Sequence, residues 1–316
     1  MPQSKQKIKK QQGSAKSKSH SCEKPSSASP PGADLLKGLV REEADFLQRH
    51  VSFVFDPPPS FESAKGSAAK EYENEFVLKV AEALEQFHMC VLHDALSPDD
   101  VADIQDDYAA LLDIKHGAHA IGEKDSSKRS GTRMWNCPCQ LGPNCSFQGW
   151  RAGSENTRRA LQRRAVCGTL PQHSKNKPPL WQAICNVFGF THIARVEVVT
   201  SHVGCRNQDW HCDSAHGITV IFALVDIDLA KGPTEIEFIT PFNSLGKESN
   251  SGKIKHKHSS SPESVHAVLP KGSVLMFNAN ANHRGTANLS SSDRPILVLD
   301  TSPSCDHLEG TCWEQE

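Results

Sequence analysis

The sequence predicts an α+β chain, with a helical N-terminal half packed against an all-β C-terminal half. Three observations carry that expectation. Before about residue 190 the apolar residues recur at steps of three and four, as one helix face requires. From Ile193 onward the period drops to two, the signature of strands. Those short strands alternate with turn clusters, including Lys231-Gly232-Pro233, Pro270-Lys271-Gly272 and Ser290-Ser291-Ser292-Asp293, which suits a sandwich or barrel-like sheet.

Residues 1–34 hold lysine, serine, glutamine and proline with almost no apolar side chains, too little to offset chain entropy, and read as a disordered basic tail. Such a tail could contact acidic partners. Residues 35–68 read as a short helix over 35–49, with Leu36, Leu39, Val40 and Phe46 on one face, and a linker broken at Pro57-Pro58-Pro59. A strong helix is predicted over 69–88 from Phe76, Val77, Val80, Ala81, Leu84 and Phe87. A short apolar piece, Met89 to Leu92, follows. Ser97-Pro98-Asp99-Asp100 then supplies an N-cap, a proline at the first helical position and acids in the first turn of a helix running to about Leu112. Residues 115–155, rich in Gly, Ser, Cys and Pro, read as irregular. Helices are expected over 157–166 and 178–188. Strands are expected over 193–203, 216–228, 234–240, 265–269, 273–278 and 295–301, with a polar insertion over 244–264.

Composition narrows the function classes. The net charge of −2 over 316 residues gives no global polyanion binder, so nucleic acid is not expected as a partner. No apolar run approaches the roughly 18–20 residues that span a bilayer. Eleven cysteines, an odd number, in a chain without a secretory h-region read as reduced thiols of an intracellular protein, with the cytoplasm as the expected compartment.

The chemistry concentrates at Gln208-Asp209-Trp210-His211-Cys212-Asp213. On an extended segment His211 and Asp213 face one side, so an imidazole and a carboxylate can reach one metal. A second histidine would complete a facial triad with open positions, the ligand set of non-haem Fe(II) oxygenases. His266 and His283 are the candidates. His283 is better placed, after the apolar run Ser273-Val274-Leu275-Met276-Phe277 and 70 residues beyond Asp213. His216 is a rival. Arg294 enters the apolar strand Pro295-Ile296-Leu297-Val298-Leu299, which is costly unless an anion meets it. A guanidinium fork suits the distal carboxylate of 2-oxoglutarate.

With these residues in view, the chain resembles the phytanoyl-CoA dioxygenase-like branch of the Fe(II)/2-oxoglutarate oxygenases. The likeness rests on Gln208 through Asp213, on Gly232-Pro233-Thr234-Glu235, and on His283-Arg284-Gly285-Thr286-Ala287-Asn288 through Asp293-Arg294-Pro295. It covers about Glu71 to Pro303. The resemblance implies a double-stranded β-helix (jelly-roll or cupin-like) core with the N-terminal helices packed on it, in a dioxygenase domain over 69–303. That domain divides into a helical part, 69–190, and a β core, 191–303, and a tail follows over 304–316. It implies His211, Asp213 and His283 as iron ligands and Arg294 as cosubstrate anchor, with Gln208, Thr286 and Asn288 as further cosubstrate-pocket residues. Fe(II), 2-oxoglutarate and O2 are then the cofactors. The implied activity is hydroxylation of an unactivated C–H bond of a small substrate, lipid-like or acyl, with release of succinate and CO2. The segment from Ile239 to Ser244 and the insertion after it depart from the family pattern, which touches substrate identity. Two alternatives stand beside this: a metal- or ligand-binding β-helix without turnover, and an oxygenase acting on a protein or nucleic acid.

Other motifs read more plainly. Cys137, Cys139 and Cys145 lack a fourth zinc ligand and read as free thiols. Arg158, Arg159, Arg163 and Arg164 read as a solvated helix face, although they could grip a phosphate. Arg133 and Trp135 are expected as a substrate or cosubstrate wall. Cys212 should point away from the ligands on either side of it.

Overall fold

The computed structural model describes residues 39, 41–55, 67–112, 118–120, 128–135, 139–140, 150–162, 179–214, 216–237 and 264–302. The basic tail, the polar insertion before 264 and the side chains of the Cys137/Cys139/Cys145 cluster lie outside the described residues, as do Arg163 and Arg164.

Twelve strands and five α-helices are described. The helices are α1 (Arg41–Phe46), continued by a π-helical turn (Leu47–Val51), α2 (Ser67–Phe87), α3 (Pro98–Leu112), α4 (Glu155–Gln162) and α5 (Leu180–Val187). The N-cap expected for α3 is present. Ser97 Oγ accepts the Asp100 N–H at 3.1 Å and donates to Asp100 Oδ2 at 2.8 Å.

The strands are β1 (Ser52–Val54), β2 (Met89–His93), β3 (Ala118–Ala120), β4 (Arg129–Trp135), β5 (Cys139–Gln140), β6 (His192–Ser201), β7 (Ile218–Ala223), β8 (Thr234–Glu237), β9 (Ser264–Ala267), β10 (Val274–Asn278), β11 (His283–Gly285) and β12 (Arg294–Ser302). A large mixed sheet runs β1-β2-β10-β7-β12-β6-β4-β3, with β5 also on β6, and a small sheet runs β11-β8-β9.

The division into a helical half and a β half therefore needs correcting. β1, β2 and β4 come from the N-terminal half and join the large sheet. β4 lies inside the stretch expected to be irregular. Its alternate residues Arg129, Gly131 and Arg133 carry charge or no side chain, which hides the period of two. The β7 strand is also shorter than 216–228, ending at Ala223.

The large sheet has two buried faces. One face, with Val196, Val198, Val220, Phe222, Val274, Met276, Leu297 and Leu299, packs on Val80, Leu84, Ile104, Leu111 and Ile184 from α2, α3 and α5. Burying such side chains contributes roughly 1.5–3 kcal/mol each. The other face, with Met89, Val91, Ile221, Ala223, Leu275, Phe277, Ile296 and Val298, packs on Ile236, Val265 and Ala267 of the small sheet. One end of the gap between the two sheets is the site described below.

The N-terminal segment is fastened to the small sheet by charge. Glu43 of α1 accepts hydrogen bonds from the backbone N–H and from Nδ1 of His266, the latter at 3.0 Å. Beyond His266 lie Glu235, with an oxygen 3.8 Å from Nε2, and Arg284, which donates to Glu235 at 2.7 Å. The hydrogen bond to Glu43 raises the His266 pKa above 6.5, against the opposing effects of burial and Arg284. A raised histidine pKa adds stability that is fully present below 6.5 and is lost as pH rises through the folded-state value. His266→Asn should therefore cost stability below that window, by about 1 kcal/mol or less, and cost progressively less above it. Urea unfolding of both proteins at pH values on either side checks this; a pH-independent difference would contradict it.

Candidate functional site

The segment between β6 and β7 is zipped along the β10–β11 connection by backbone hydrogen bonds. The Asp213 N–H donates to Ala279 O at 2.9 Å, His211 and His283 exchange a pair of bonds at 3.0 and 2.9 Å, and the Gln208 N–H donates to Gly285 O at 2.9 Å. The side chains reinforce it: Gln208 Oε1 accepts the Gly285 N–H at 2.8 Å, and Asn207 Oδ1 accepts the Ala287 N–H at 2.7 Å. His211 thus makes an isolated antiparallel bridge, not part of a continuous strand, and Asp213 sits in a bend. The expected extended geometry at this dipeptide step is replaced by a bridged loop, and the two side chains still converge.

His211, Asp213 and His283 each bring one ligand atom within 4.8 Å of the others. Asp213 Oδ2 lies 3.6 Å from His283 Nε2, and Oδ1 lies 4.0 Å from His211 Nε2. Both Nδ1 atoms face backbone carbonyls, at 2.8 Å to Asp209 O for His211 and 3.0 Å to Ala281 O for His283. A carbonyl only accepts, so Nδ1 carries the proton and the Nε2 lone pair points into the cluster. Burial holds the His283 pKa below 6.5 in spite of Asp213, which keeps the ring neutral and able to donate electrons. Thr219 of β7 donates to Asp213 Oδ2 at 2.7 Å and orients the carboxylate.

The cluster opens into a cavity of about 110 Å³. Val199, Ile221, Phe277, Ile296 and Val298 form its apolar wall. Arg294 and Arg129, each 2% exposed, form one end. Arg294 Nη2 donates to Ser201 Oγ at 2.7 Å, its Nε has no partner, and no described carboxylate pairs with it. Burial, with Arg129 beside it, pushes its pKa down to about 10, so the guanidinium is still charged at neutral pH. Arg129 donates to Ser201 Oγ and to the carbonyls of Gly285 and Thr286, each at 3.2 Å. Gly285 faces this end: a Cβ there would lie 2.6 Å from Gln208 Oε1 and 3.3 Å from Arg294 Nη2. The donor set, two imidazoles and a carboxylate with open positions on a cavity, fits an iron(II) ion. The buried guanidinium fits a carboxylate brought in from outside.

Of the other residues singled out in the sequence, Gln208 lines the cavity, but Thr286 and Asn288 do not. Thr286 Oγ1 donates to Pro233 O at 2.7 Å, and buried Asn288 Nδ2 donates to Ser201 O and Ser292 O, so both side chains fasten turns. The first of those turns needs Gly232, at φ +76°, where a Cβ would lie 2.6 Å from Thr286 O. Trp135 is buried on the helix side, stacked on Trp150 at 5.2 Å, so it is no cavity wall. His266 is held by Glu43 away from the cluster, His216 is exposed outside it, and Cys212 Sγ turns to Asn280 O. Sequence reasoning missed Arg129, Thr219, Arg195 and Glu197. The usable signal was their period-two spacing, Arg129 with Gly131 and Arg133, and Arg195 with Glu197 and Val199.

A helix-backed mixed sheet carrying a His-Asp-His cluster beside a buried, anion-seeking arginine marks the non-haem iron proteins that use 2-oxoglutarate. Within that class the chain belongs to the phytanoyl-CoA dioxygenase (PhyH) family, whose model matches residues 88–296. Membership brings iron, 2-oxoglutarate and O2 as the cofactors. Among solved structures, the chain is similar to the non-haem α-ketoglutarate-dependent epimerase SnoN from nogalamycin biosynthesis. The identity is 14% and the TM-score 0.50, over 72% of this chain and 84% of that one. It is also similar to the carbocyclase SnoK from nogalamycin biosynthesis, at 12% identity and TM-score 0.47 over 71% and 86% of the two chains. A third is AviO1 from Streptomyces viridochromogenes Tue57, at 13% and 0.45 over 71% and 94%. No curated protein sequence matches the chain. Among the described residues, no helix is long and apolar enough to cross a membrane.

If Thr219 orients Asp213 for a metal, Thr219→Val should weaken Mn(II) binding by roughly 10–100-fold, the usual effect of removing a group that positions a ligand. Calorimetric titration of both proteins measures this. Unchanged affinity would show that the hydroxyl has no such role.

Proposed function

We propose that the protein is an Fe(II)- and 2-oxoglutarate-dependent dioxygenase that hydroxylates an unactivated C–H bond of a small molecule, releasing succinate and CO2. The observation that carries this reading is the placing of His211, Asp213 and His283 on the same cavity as Arg294. His211, Asp213 and His283 would hold the iron, and Arg294 with Ser201 would grip the distal carboxylate of 2-oxoglutarate. When bound, iron with 2-oxoglutarate and dioxygen supplies the oxidising power.

The chain's own residues do the rest. The Nδ1–carbonyl bonds fix both imidazoles, Thr219 fixes the carboxylate, and Gly285 keeps the Arg294 end open. Val199, Ile221, Phe277, Ile296 and Val298 keep water from the space between the ligand cluster and Arg294, which strengthens the charge interactions there. In this reading the two facing sheets are the two halves of a double-stranded β-helix, and residues 69–303 make up the dioxygenase domain.

The test is oxygen-dependent succinate formation from 2-oxoglutarate in the presence of Fe(II). Asp213→Ala should lower it by about 100-fold or more, as loss of a charged ligand demands. Equal succinate formation by wild type and Asp213→Ala would contradict the assignment.

A further inference from the structure

The wall on the other side of the ligand cluster is built for charge. β6 and β12 pair so that Ser201 faces Arg294 at one end and Arg195 faces Asp300 at the other. Six residues of strand, roughly 20 Å, separate those ends. The ligand cluster lies toward the Asp300 end, because Thr219, the hydrogen-bond donor to Asp213, is the register partner of Asp300. A cosubstrate held by Arg294 is thereby accounted for at one end, and the Arg195 end is left for the molecule to be oxidised.

At that end Arg195 Nε lies 2.7 Å from Asp300 Oδ2, and Nη1 lies 3.2 Å from Glu197 Oε1. Arg133 of β4 reaches Glu197 Oε2 at 3.5 Å. Burial alone would lower the Arg195 pKa, but Asp300 and Glu197 outweigh it and raise it, so the group is fully charged. Access is uneven. Arg195 and Glu197 both line the cavity beside the three proposed ligands, but the Glu197 side chain is 1% exposed with an arginine at each oxygen, whereas Arg195 keeps 25% exposure. Asp300 retains 23% exposure, yet its Oδ1 is enclosed and Oδ2 is taken by Arg195. The accessible edge of the cluster is therefore a guanidinium. An alkyl chain laid against it would strip water from a charge and return nothing, whereas a carboxylate would replace that water with charge-assisted hydrogen bonds.

We propose that the substrate is a small polar molecule that presents a carboxylate to Arg195, an amino or hydroxy acid in class and not an acyl chain. The inference rests on the dioxygenase reading and sharpens it. It replaces the lipid-like or acyl substrate that the family resemblance implies.

The experiment follows the visible absorption band of the anaerobic protein–Fe(II)–2-oxoglutarate complex. The probes are the proteinogenic amino acids, a set of four- to six-carbon hydroxy acids, octanoyl-CoA and hexadecanoyl-CoA (roughly one compound per well). Absence of the band before any probe is added would overturn the dioxygenase reading, and this inference with it. With the band present, at least one amino or hydroxy acid should shift it and neither acyl-CoA should. Arg195→Leu should raise the concentration needed at least tenfold and Arg195→Lys by less, with the folding of each variant read from its melting transition. A shift by an acyl-CoA, silence from every acid, or a wild-type response from folded Arg195→Leu would each overturn the proposal with the band intact.

Discussion

The site depends on one backbone contact, the antiparallel bridge between His211 and His283. The two residues are 72 apart in the chain and exchange both hydrogen bonds. That exchange puts their rings 4.4 Å apart and leaves Asp213, two residues on, hydrogen-bonded to Ala279. The loop carrying His211 and Asp213 has no regular strand of its own. It is ordered by the β10–β11 connection, which is anchored in turn by β10 at the middle of the large sheet. A metal at this point would join two loops that the backbone has already brought together, so little ordering entropy remains to be met on binding.

The large sheet explains why charge can be kept at such depth. Its helix-facing side is mostly apolar, with Thr200 hydrogen-bonded to Tyr108 of α3 as a polar exception, and this is where stability accumulates. Its other side is apolar only in the middle and charged at both ends. Ions at such positions cost several kcal/mol each unless paired. At the Arg195 end the protein pairs them itself. At the other end Arg294 shares the hydroxyl of Ser201 with Arg129, and no described carboxylate pairs with Arg294. An arrangement that leaves this charge unmatched in the folded chain favours an anion from outside, and this desolvation is the basis for proposing a cosubstrate site there.

Much of this was legible in the sequence, for physical reasons. His211, Asp213, His283 and Arg294 stand out because histidine and charge beside β-branched apolar runs are expensive unless used. The α2 and α3 helices announce themselves by a clear apolar face and a capped start. What stayed hidden follows one rule: a strand facing a polar cavity loses the apolar alternation by which strands are recognised. β4 was read as irregular because Arg129 and Arg133 occupy its cavity face. Arg195 and Glu197 lie within the strand expected over 193–203, where their charges give no sign of facing a cavity. Thr286 and Asn288 lie in the right segment, but their hydrogen bonds serve turns, and segment membership cannot separate a side chain that lines a cavity from one that fastens a loop. Nor could spacing show that His211 and Asp213 converge from a bridged bend instead of a strand.

The central claim is that Arg294 completes a carboxylate site beside a His-Asp-His metal centre. It is tested most directly by calorimetric titration of 2-oxoglutarate into the Mn(II)-loaded protein, wild type against Arg294→Ala. The account predicts one site per chain in wild type, binding weakened by about 100-fold or more in the variant, as for loss of a buried charged hydrogen-bond partner, and no change in Mn(II) affinity itself. Equal 2-oxoglutarate affinity in the two proteins, with Mn(II) bound in both, would contradict it.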